Sequence, residues 1–191
     1  MTFNKLNNMP ETKKYNIIYA DPPWTYNDKA QAGNRGAGFK YPLMTIDDIK
    51  SLPISNLAAD NCYLFCWVTF PLLQEGLDTI KAWGFEYKTI GFNWIKTNKK
   101  NTSTLFWGMG NHTRACGEIC LIGVKGKPQR VSKSVHSVVM SPIQAHSKKP
   151  DIIRDRIVQL CGDLPRIELF ARNATLGWDV FGNQVEGSVV L

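Results

Sequence analysis

The chain has 191 residues, of which 43% are hydrophobic and 11% aromatic, enough to bury the core of one domain and too many for a disordered chain. A formal charge of +7 indicates a polyanionic partner, with nucleic acid as the first choice and ordinary solubility charge as the alternative. No apolar run is long enough to span a membrane and no apolar signal core precedes Tyr15, which predicts a cytoplasmic protein.

Six segments rich in β-branched or aromatic residues are predicted as strands, and two apolar-striped segments are predicted as helices. The predicted strands are residues 16–20, 63–68, 87–95, 119–124, 137–140 and 166–170. The predicted helices are residues 72–83 and 151–160, and a single helical turn is predicted over residues 45–51 with Thr45 as its N-cap. Strands that alternate with helices predict an α/β sheet, whose ligands bind beyond the carboxyl ends of the strands.

The tetrapeptide Asp21-Pro22-Pro23-Trp24 directly follows the first predicted strand. The Asp21 carboxylate and a free Pro22 carbonyl can accept hydrogen bonds from the exocyclic amine of a planar base, and Trp24 offers a face for stacking. Such acceptors orient the lone pair of the amine toward an electrophile. Asp-Pro-Pro is also ordinary turn chemistry and Trp is often part of a core, so the motif alone leaves a turn and a catalytic site equally open.

Two long loops carry basic residues. The first, residues 25–41, follows the tetrapeptide directly and is therefore placed to close over a bound base. The second spans residues 125–149. Neither loop contains a phosphate-cradling glycine fingerprint or a Walker sequence, so nucleotide-triphosphate chemistry is not indicated.

The five cysteines form two pairs with a spacing of four residues, plus one further thiol. They are Cys62, Cys66, Cys116, Cys120 and Cys161. Although His112 lies four residues before the second pair, the tight Cys-x-x-Cys spacing of zinc sites is missing. We therefore predict reduced thiols and no metal, with a zinc site as the weaker alternative.

A second polar cluster follows the last predicted strand. Arg172 and Asn173 come at its end, and Asn183 and Gln184 follow shortly after. These side chains can hydrogen-bond ribose hydroxyls, whereas a plain polar turn is the alternative that composition alone favours. Lys149, just before the second predicted helix, can pair with a ligand carboxylate, although a solvated lysine is the commoner case.

With this cluster, the tetrapeptide resembles the adenine N6-methyltransferase family, which includes the catalytic subunit of the eukaryotic mRNA adenosine methyltransferase and many bacterial and phage DNA methylases. Six further segments in the family's order extend the resemblance from about residue 15 to residue 187. They are Tyr41-Pro42-Leu43-Met44-Thr45, Phe65-Cys66-Trp67-Val68-Thr69, Trp94-Ile95-Lys96-Thr97-Asn98, Gly123-Val124-Lys125-Gly126-Lys127-Pro128, His146-Ser147-Lys148-Lys149-Pro150-Asp151 and Glu168-Leu169-Phe170-Ala171-Arg172.

The resemblance implies a Rossmann-like methyltransferase fold in one domain, residues 15–187, after an N-terminal segment, residues 1–14. It implies S-adenosylmethionine as the methyl donor and the N6 amine of adenine in DNA as the acceptor. The alternatives are the same transfer to RNA and an inactive nucleic-acid-binding subunit. The Gly-Trp-Asp and Gly-Asn wording near the C-terminus is closer to the bacterial and phage branch, which implies a bacterium or a phage-infected cell. A homodimer stays open.

Carried over by position, Asp21 contacts both the target amine and the amino group of the donor, and Lys149 meets the carboxylate of the donor. The ribose falls to Arg172, Asn183 and Gln184. The full set of cofactor-binding residues implied is Asp21, Lys149, Glu168, Phe170, Arg172, Asn173, Asn183 and Gln184.

The mechanism implied by these residues relies on alignment, which can lower the barrier by ~7–11 kcal/mol. In a duplex the target base must be flipped out, and stacking on Trp24 and on Tyr26 or Tyr41 would offset part of that free energy. The predicted catalytic residues are Asp21, Pro22, Pro23 and Trp24, and the predicted substrate-binding residues are Trp24, Tyr26, Arg35, Lys40, Tyr41, Lys127 and Arg130.

Overall fold

The computed structural model describes residues 13–25, 44–110, 112–145 and 147–185. Within these ranges, seven strands form a single sheet and three α-helices pack against it. The strands are β1 (Tyr15–Ala20), β2 (Ala58–Val68), β3 (Glu86–Thr97), β4 (Gly117–Lys125), β5 (Val138–Pro142), β6 (Arg166–Leu169) and β7 (Asp179–Phe181). The helices are α1 (Ile46–Ser51), α2 (Leu73–Ala82) and α3 (Ile152–Cys161).

The α/β architecture and all six predicted strands are confirmed, with ends that differ by a few residues. Both predicted helices are confirmed, and the helical turn predicted over residues 45–51 is α1. Thr45 caps it as expected, because its hydroxyl oxygen accepts a hydrogen bond of 3.1 Å from the backbone N–H of Asp48. The short β7 was not predicted, since three residues are too few to show an alternating pattern.

The strand order is β5-β3-β4-β2-β1-β6-β7. Every strand runs parallel to its neighbours except β4, which is antiparallel to β2 and β3. Ala20 at the end of β1 pairs with Cys66 on one side and Leu169 on the other, so β1, β2 and β6 end together. We name the end of the sheet at which β1, β2 and β6 terminate the carboxyl edge. Because the chain leaves β1 toward β2 and returns to β6, the strand order reverses at β1, where open α/β sheets bind ligands.

Both faces of the central strands are buried over much of their length, which explains the apolar runs without alternation at residues 17–20 of β1 and 62–68 of β2. Helices α1 and α2 cover one face. Helix α3 covers the other with Ile153, Ile157 and Cys161, which are spaced at four-residue intervals and form one buried stripe. No helix in these ranges is both long and apolar enough to cross a membrane.

Helix α2 lies unusually close to the sheet, and Gly76 permits this approach. A Cβ atom at Gly76 would lie 2.9 Å from the Cγ2 of Val68 on β2, which is shorter than real side-chain contacts. The close contact packs helix α2 against the last residue of β2, which lies at the carboxyl edge.

Candidate active site

A cleft of about 550 Å³ opens at the carboxyl edge, beyond the ends of β1 and β6. Three parts of the chain line it: residues 19 and 21 at the end of β1, the segment that enters α3, and the segment from β6 to residue 178. Its volume is within the usual range for small-molecule sites, roughly 300–1,000 Å³. The cleft therefore lies at the position that the strand order predicts for a ligand.

Four charged side chains form a connected network beside this cleft. The Lys149 Nζ lies 2.8 Å from the Oδ1 of Asp21 and 3.2 Å from the Oε2 of Glu118. The second carboxylate oxygen of Glu118 lies 2.5 Å from the Nζ of Lys96. The Lys149 side chain is only 10% exposed, so the ion pairs are shielded from solvent. We name Asp21, Lys149, Glu118 and Lys96 the charge network.

The topology of the sheet brings these four residues together. Asp21 follows β1 and Lys149 precedes α3, so both lie at the carboxyl edge. Lys96 is near the end of β3, whereas Glu118 is near the beginning of β4. Because β4 is antiparallel, its first residues lie at the edge where the other strands end, and Glu118 therefore faces the same site.

Burial and pairing shift the pKa values of this network in different directions. Burial raises the pKa of Asp21 above its ordinary value; Lys149 opposes this shift and Glu118 adds to it. Burial also disfavours ionised Glu118, but Lys149 and Lys96 outweigh burial and lower its pKa. Burial disfavours charged Lys149 as well, yet its two carboxylate partners outweigh burial and raise its pKa. The Lys149 ammonium thus lies between Asp21 and Glu118, and it helps to hold Glu118 in its ionised form.

The first testable prediction concerns the titration of Asp21. Replacing Glu118 with Gln removes a negative neighbour and leaves Lys149 paired with Asp21 alone, so both changes stabilise ionised Asp21. We expect the pKa of Asp21 to be above that of an ordinary aspartate in the wild type and to fall in Glu118→Gln. A ¹³C NMR titration of the Asp21 carboxyl carbon measures both values. An unchanged or higher pKa in the variant would show that Glu118 does not raise the pKa of Asp21.

The tetrapeptide is held rigidly, as both a turn and a site would require. The Pro22 carbonyl accepts a hydrogen bond of 2.8 Å from the backbone N–H of Trp24, and the Pro23 carbonyl accepts one of 3.1 Å from that of Met44. The prediction that the Pro22 carbonyl is free is therefore wrong. A carbonyl oxygen has two lone pairs, however, so a further hydrogen bond from a ligand amine is compatible with this turn.

Trp24 is part of the hydrophobic core. Its side chain is 6% exposed, and its indole Nε1 donates a hydrogen bond of 2.9 Å to the backbone carbonyl of Trp67. The indole therefore ties the end of β1 to β2 and helps to fix the direction of Asp21. Stacking of a target base on Trp24 stays a prediction, and this burial weighs against it.

Four of the predicted cofactor-binding residues line the cleft together with Asp21 and Lys149. They are Glu168, Phe170, Arg172 and Asn173. The carboxylate of Glu168 at the end of β6 accepts two hydrogen bonds of 3.2 Å from Arg154 of α3. Phe170 has a φ of 62°, in the left-handed region that non-glycine residues rarely adopt. Strained residues of this kind are concentrated at functional sites.

Asn183 and Gln184 do not line this cleft. Both side chains are exposed and follow β7, the strand next to β6, so they lie at the carboxyl edge. Gly182 brings this segment close to the end of β6, since a Cβ there would lie 2.0 Å from the backbone oxygen of Ala171. Their assignment to the donor ribose stays a prediction.

The structure separates Lys127 and Arg130 from the site. These exposed residues follow β4, which runs away from the carboxyl edge, so their loop lies at the opposite edge of the sheet. The backbone N–H of Lys127 donates to the side-chain oxygen of Asn61, near the beginning of β2. This placement weighs against contacts of either residue with the phosphates next to a base held at Asp21, and their assignment to the substrate stays a prediction. Four further predicted substrate-binding residues lie outside the described residues; they are Tyr26, Arg35, Lys40 and Tyr41.

Sequence reasoning missed Glu118 and Arg154. Glu118 was hidden because a single acidic residue at the start of an apolar strand resembles an ordinary strand end, and its role depends on the antiparallel direction of β4. Arg154 was hidden because only the tertiary structure shows that it reaches Glu168 at the end of β6. One signal in the sequence could have drawn attention to Glu118. It directly precedes the apolar strand predicted over residues 119–124, and a charged side chain that is buried beside such a strand usually has a charged partner.

Four of the five cysteines are buried in the core, and Cys116 is half-buried. Cys62 and Cys66 belong to one face of the sheet and Cys120 and Cys161 to the other, and burial raises the pKa of Cys62 to about 12. In the part of the chain that the structure describes, no three His, Cys, Asp or Glu side chains come together as metal ligands. Buried neutral thiols of this kind pack as small apolar side chains.

Comparison with known proteins places this site in a family. The model of the family described as MT-A70 matches residues 15–184. The Type II methyltransferase M.MunI of Mycoplasma sp. is 35% identical, over 91% of this chain and 78% of that protein. The human N(6)-adenosine-methyltransferase catalytic subunit METTL3 is 31% identical, over 91% of this chain but only 29% of its own length. The matched region contains the charge network and the cleft, and the chain belongs to the MT-A70 family.

Proposed function

We propose that this protein transfers a methyl group from S-adenosylmethionine to the N6 amine of adenine in DNA. The observation that carries this proposal is the position of Asp21: a carboxylate at the carboxyl end of β1, beside a cleft of about 550 Å³ at the point where the strand order reverses. Membership of the MT-A70 family supports the chemistry, and the M.MunI relative supports DNA as the substrate.

The residues that line the cleft fit the functional groups of the donor. Lys149 is the cation for a carboxylate, and the carboxylates of Asp21 and Glu168 are acceptors for an amino group and for hydroxyls. Phe170 offers an aromatic ring, and Arg172 and Asn173 offer further hydrogen-bond donors. When bound, S-adenosylmethionine supplies an electrophilic methyl group on a positively charged sulfur.

Asp21 is proposed to hold the target amine. The exocyclic amine of adenine is a poor nucleophile because its lone pair is delocalised into the ring, so alignment matters more than acid–base strength. Accepting a hydrogen bond from the amine directs its lone pair and stabilises the positive charge that develops on nitrogen. The raised pKa of Asp21 also suits it to receive the proton that the nitrogen loses after transfer.

Lys149 is proposed to couple donor binding to the release of an Asp21 oxygen for the target amine. Both oxygens of Asp21 lie within 2.9 Å of the Lys149 Nζ, so the carboxylate is engaged by this lysine. A donor carboxylate that binds Lys149 competes with Asp21 for the same ammonium protons. That competition would release an Asp21 oxygen to accept the hydrogen of the amine.

The choice of DNA over RNA rests on extent of similarity. This chain spans most of the M.MunI methyltransferase, whereas it spans less than a third of METTL3. The Gly-Trp-Asp segment, residues 177–179, agrees with the bacterial and phage branch. We further propose a bacterial or phage setting on the same grounds.

The experiment that tests this function uses methyl-labelled donor with matched single-stranded and duplex DNA and RNA oligonucleotides, followed by nucleoside mass analysis. We expect N6-methyladenine in DNA. Methylation confined to RNA would support the alternative substrate, and donor binding without any methylated nucleoside would overturn the enzymatic proposal.

A further inference from the structure

The β3–β4 loop, residues 98–116, begins and ends at the carboxyl edge. The backbone N–H of Lys96 donates to the carbonyl of Cys116 at 2.7 Å, and the Lys96 carbonyl accepts from the N–H of Phe106 at 2.9 Å. Both arms of the loop are thus fixed to Lys96, whose side chain pairs with Glu118 of the charge network. The base of the loop is therefore connected to Asp21 through three consecutive ion pairs.

The loop presents an exposed aromatic ring between two residues whose backbone N–H groups are hydrogen-bonded. Trp107 follows the anchored Phe106 and its side chain is 48% exposed. The next residue, Gly108, donates a backbone hydrogen bond of 2.7 Å to the carbonyl of Ala115, and the Arg114 guanidinium donates to the carbonyl of Trp107 at 3.3 Å. Trp107 and Arg114 therefore occupy facing positions on a paired segment, with a cationic group next to an exposed indole.

The charge of the loop selects the kind of partner. Residues 98–116 contain Lys99, Lys100 and Arg114, all exposed, and no Asp or Glu. Protein–protein interfaces tend to lose charge at their centres. A surface that mixes exposed rings with unopposed cations instead matches single-stranded nucleic acid, which offers bases for stacking and phosphates for pairing.

A target base must be flipped out or already unpaired to reach Asp21, and the burial of Trp24 weighs against its serving as the stacking surface. We propose that residues 98–110 and 112–116 are a docking surface for unpaired nucleotides beside the target adenine, with Trp107 stacking on a flanking base and Arg114 pairing with its phosphate. This proposal rests on the proposed function, because it assigns the loop to the same substrate strand.

The test measures binding of a fluorescein-labelled single-stranded DNA of mixed sequence to the full chain by anisotropy. Trp107→Ala is expected to weaken binding by about 5- to 150-fold, the effect of losing one base–aromatic stack, while Trp107→Phe retains most of the affinity. Met109→Ala is the matched control, because Met109 is 92% exposed on the same loop and has no ring. Donor affinity and thermal stability should be the same in all three variants.

A second variant tests the phosphate contact. Arg114→Gln is expected to reduce the slope of log K against log salt concentration by about 0.7, the value for one phosphate contact on a single strand. The binding assay does not require methyl transfer, so it separates the two proposals. If the wild type fails to methylate DNA but Trp107→Ala still weakens DNA binding, the proposed function is refuted and the docking surface stands. Equal DNA affinity in Trp107→Ala and the wild type would overturn the docking proposal. A second contrary outcome is a Trp107→Ala variant that differs from the wild type in molar mass in ultracentrifugation but not in DNA affinity. That outcome would identify the loop as a contact between protein chains.

Discussion

Replacing Asp21 with Asn is expected to lower the rate of methyl transfer by at least about 100-fold, the usual effect of losing one preorganised group that stabilises developing charge. The amide keeps the shape of the side chain but lacks the negative charge that the developing ammonium requires. Its NH₂ group also presents hydrogen atoms where the target amine needs an acceptor. The rate of N6-methyladenine formation in a single turnover measures this effect without a contribution from product release.

The protein should remain folded, because Asn is uncharged and burial already disfavours the ionised form of Asp21. Lys149 keeps Glu118 as a partner at 3.2 Å, so no lysine cation is left unpaired. Asp60→Asn provides the matched control, since Asp60 is exposed on β2 near the opposite edge of the sheet. Wild-type methylation by Asp21→Asn would remove Asp21 from the reaction.

The second large effect is expected from Lys149→Met. This change leaves the carboxylates of Asp21 and Glu118, 26% and 15% exposed, without their shared cation. Removing one partner from a buried ion pair commonly costs 3–5 kcal/mol; we expect about 3 kcal/mol here, because Asp21 retains some contact with water and Glu118 retains Lys96. Urea unfolding at pH 7 measures the change in the free energy of unfolding.

The pH dependence distinguishes this electrostatic cause from a loss of packing. Without Lys149, the folded-state pKa of Asp21 rises further above its unfolded value and the pKa of Glu118 loses one of the two cations that lower it, so the folded variant binds more protons than the folded wild type as pH falls. Its deficit in stability is therefore largest at neutral pH and shrinks as pH falls through the raised pKa values. The double variant Lys149→Met/Glu118→Gln should recover part of the loss at pH 7. A deficit that is constant from pH 7 to pH 5 would indicate a packing defect instead.

The same variant tests the assignment of Lys149 to the donor. We expect Lys149→Met to weaken S-adenosylmethionine binding by about 10- to 150-fold, the range for one hydrogen bond to a charged group, and to change DNA binding much less. Lys88→Met is the control, because its ion pair with Glu86 is at the surface near the beginning of β3, away from the cleft, and contributes little. Calorimetric titration at a temperature where both variants are folded makes the comparison. Equal donor affinity in the two variants would refute the assignment.

The sequence by itself determined the α/β architecture and the position of most elements, and it singled out the tetrapeptide as a candidate catalytic site. Continuous apolar runs such as β1 can be explained only by strands covered on both faces, and the striped segment that became α3 can be explained only by a helix with one buried side. Asp21 was singled out because it directly follows a strand, and Lys149 was assigned to the donor by the family resemblance; both roles stay predictions.

The tertiary structure decided which charged residues meet. The direction of β4 brings Glu118 to Asp21 and carries Lys127 and Arg130 away, and no local pattern in an apolar strand records whether it runs parallel or antiparallel to its neighbours. The same holds for Trp24 and Trp107: both are aromatic residues beside turns, and only packing assigns one to the core and leaves the other exposed. Strand direction and burial arise from contacts between residues distant in sequence, which is why they could not be deduced from local composition.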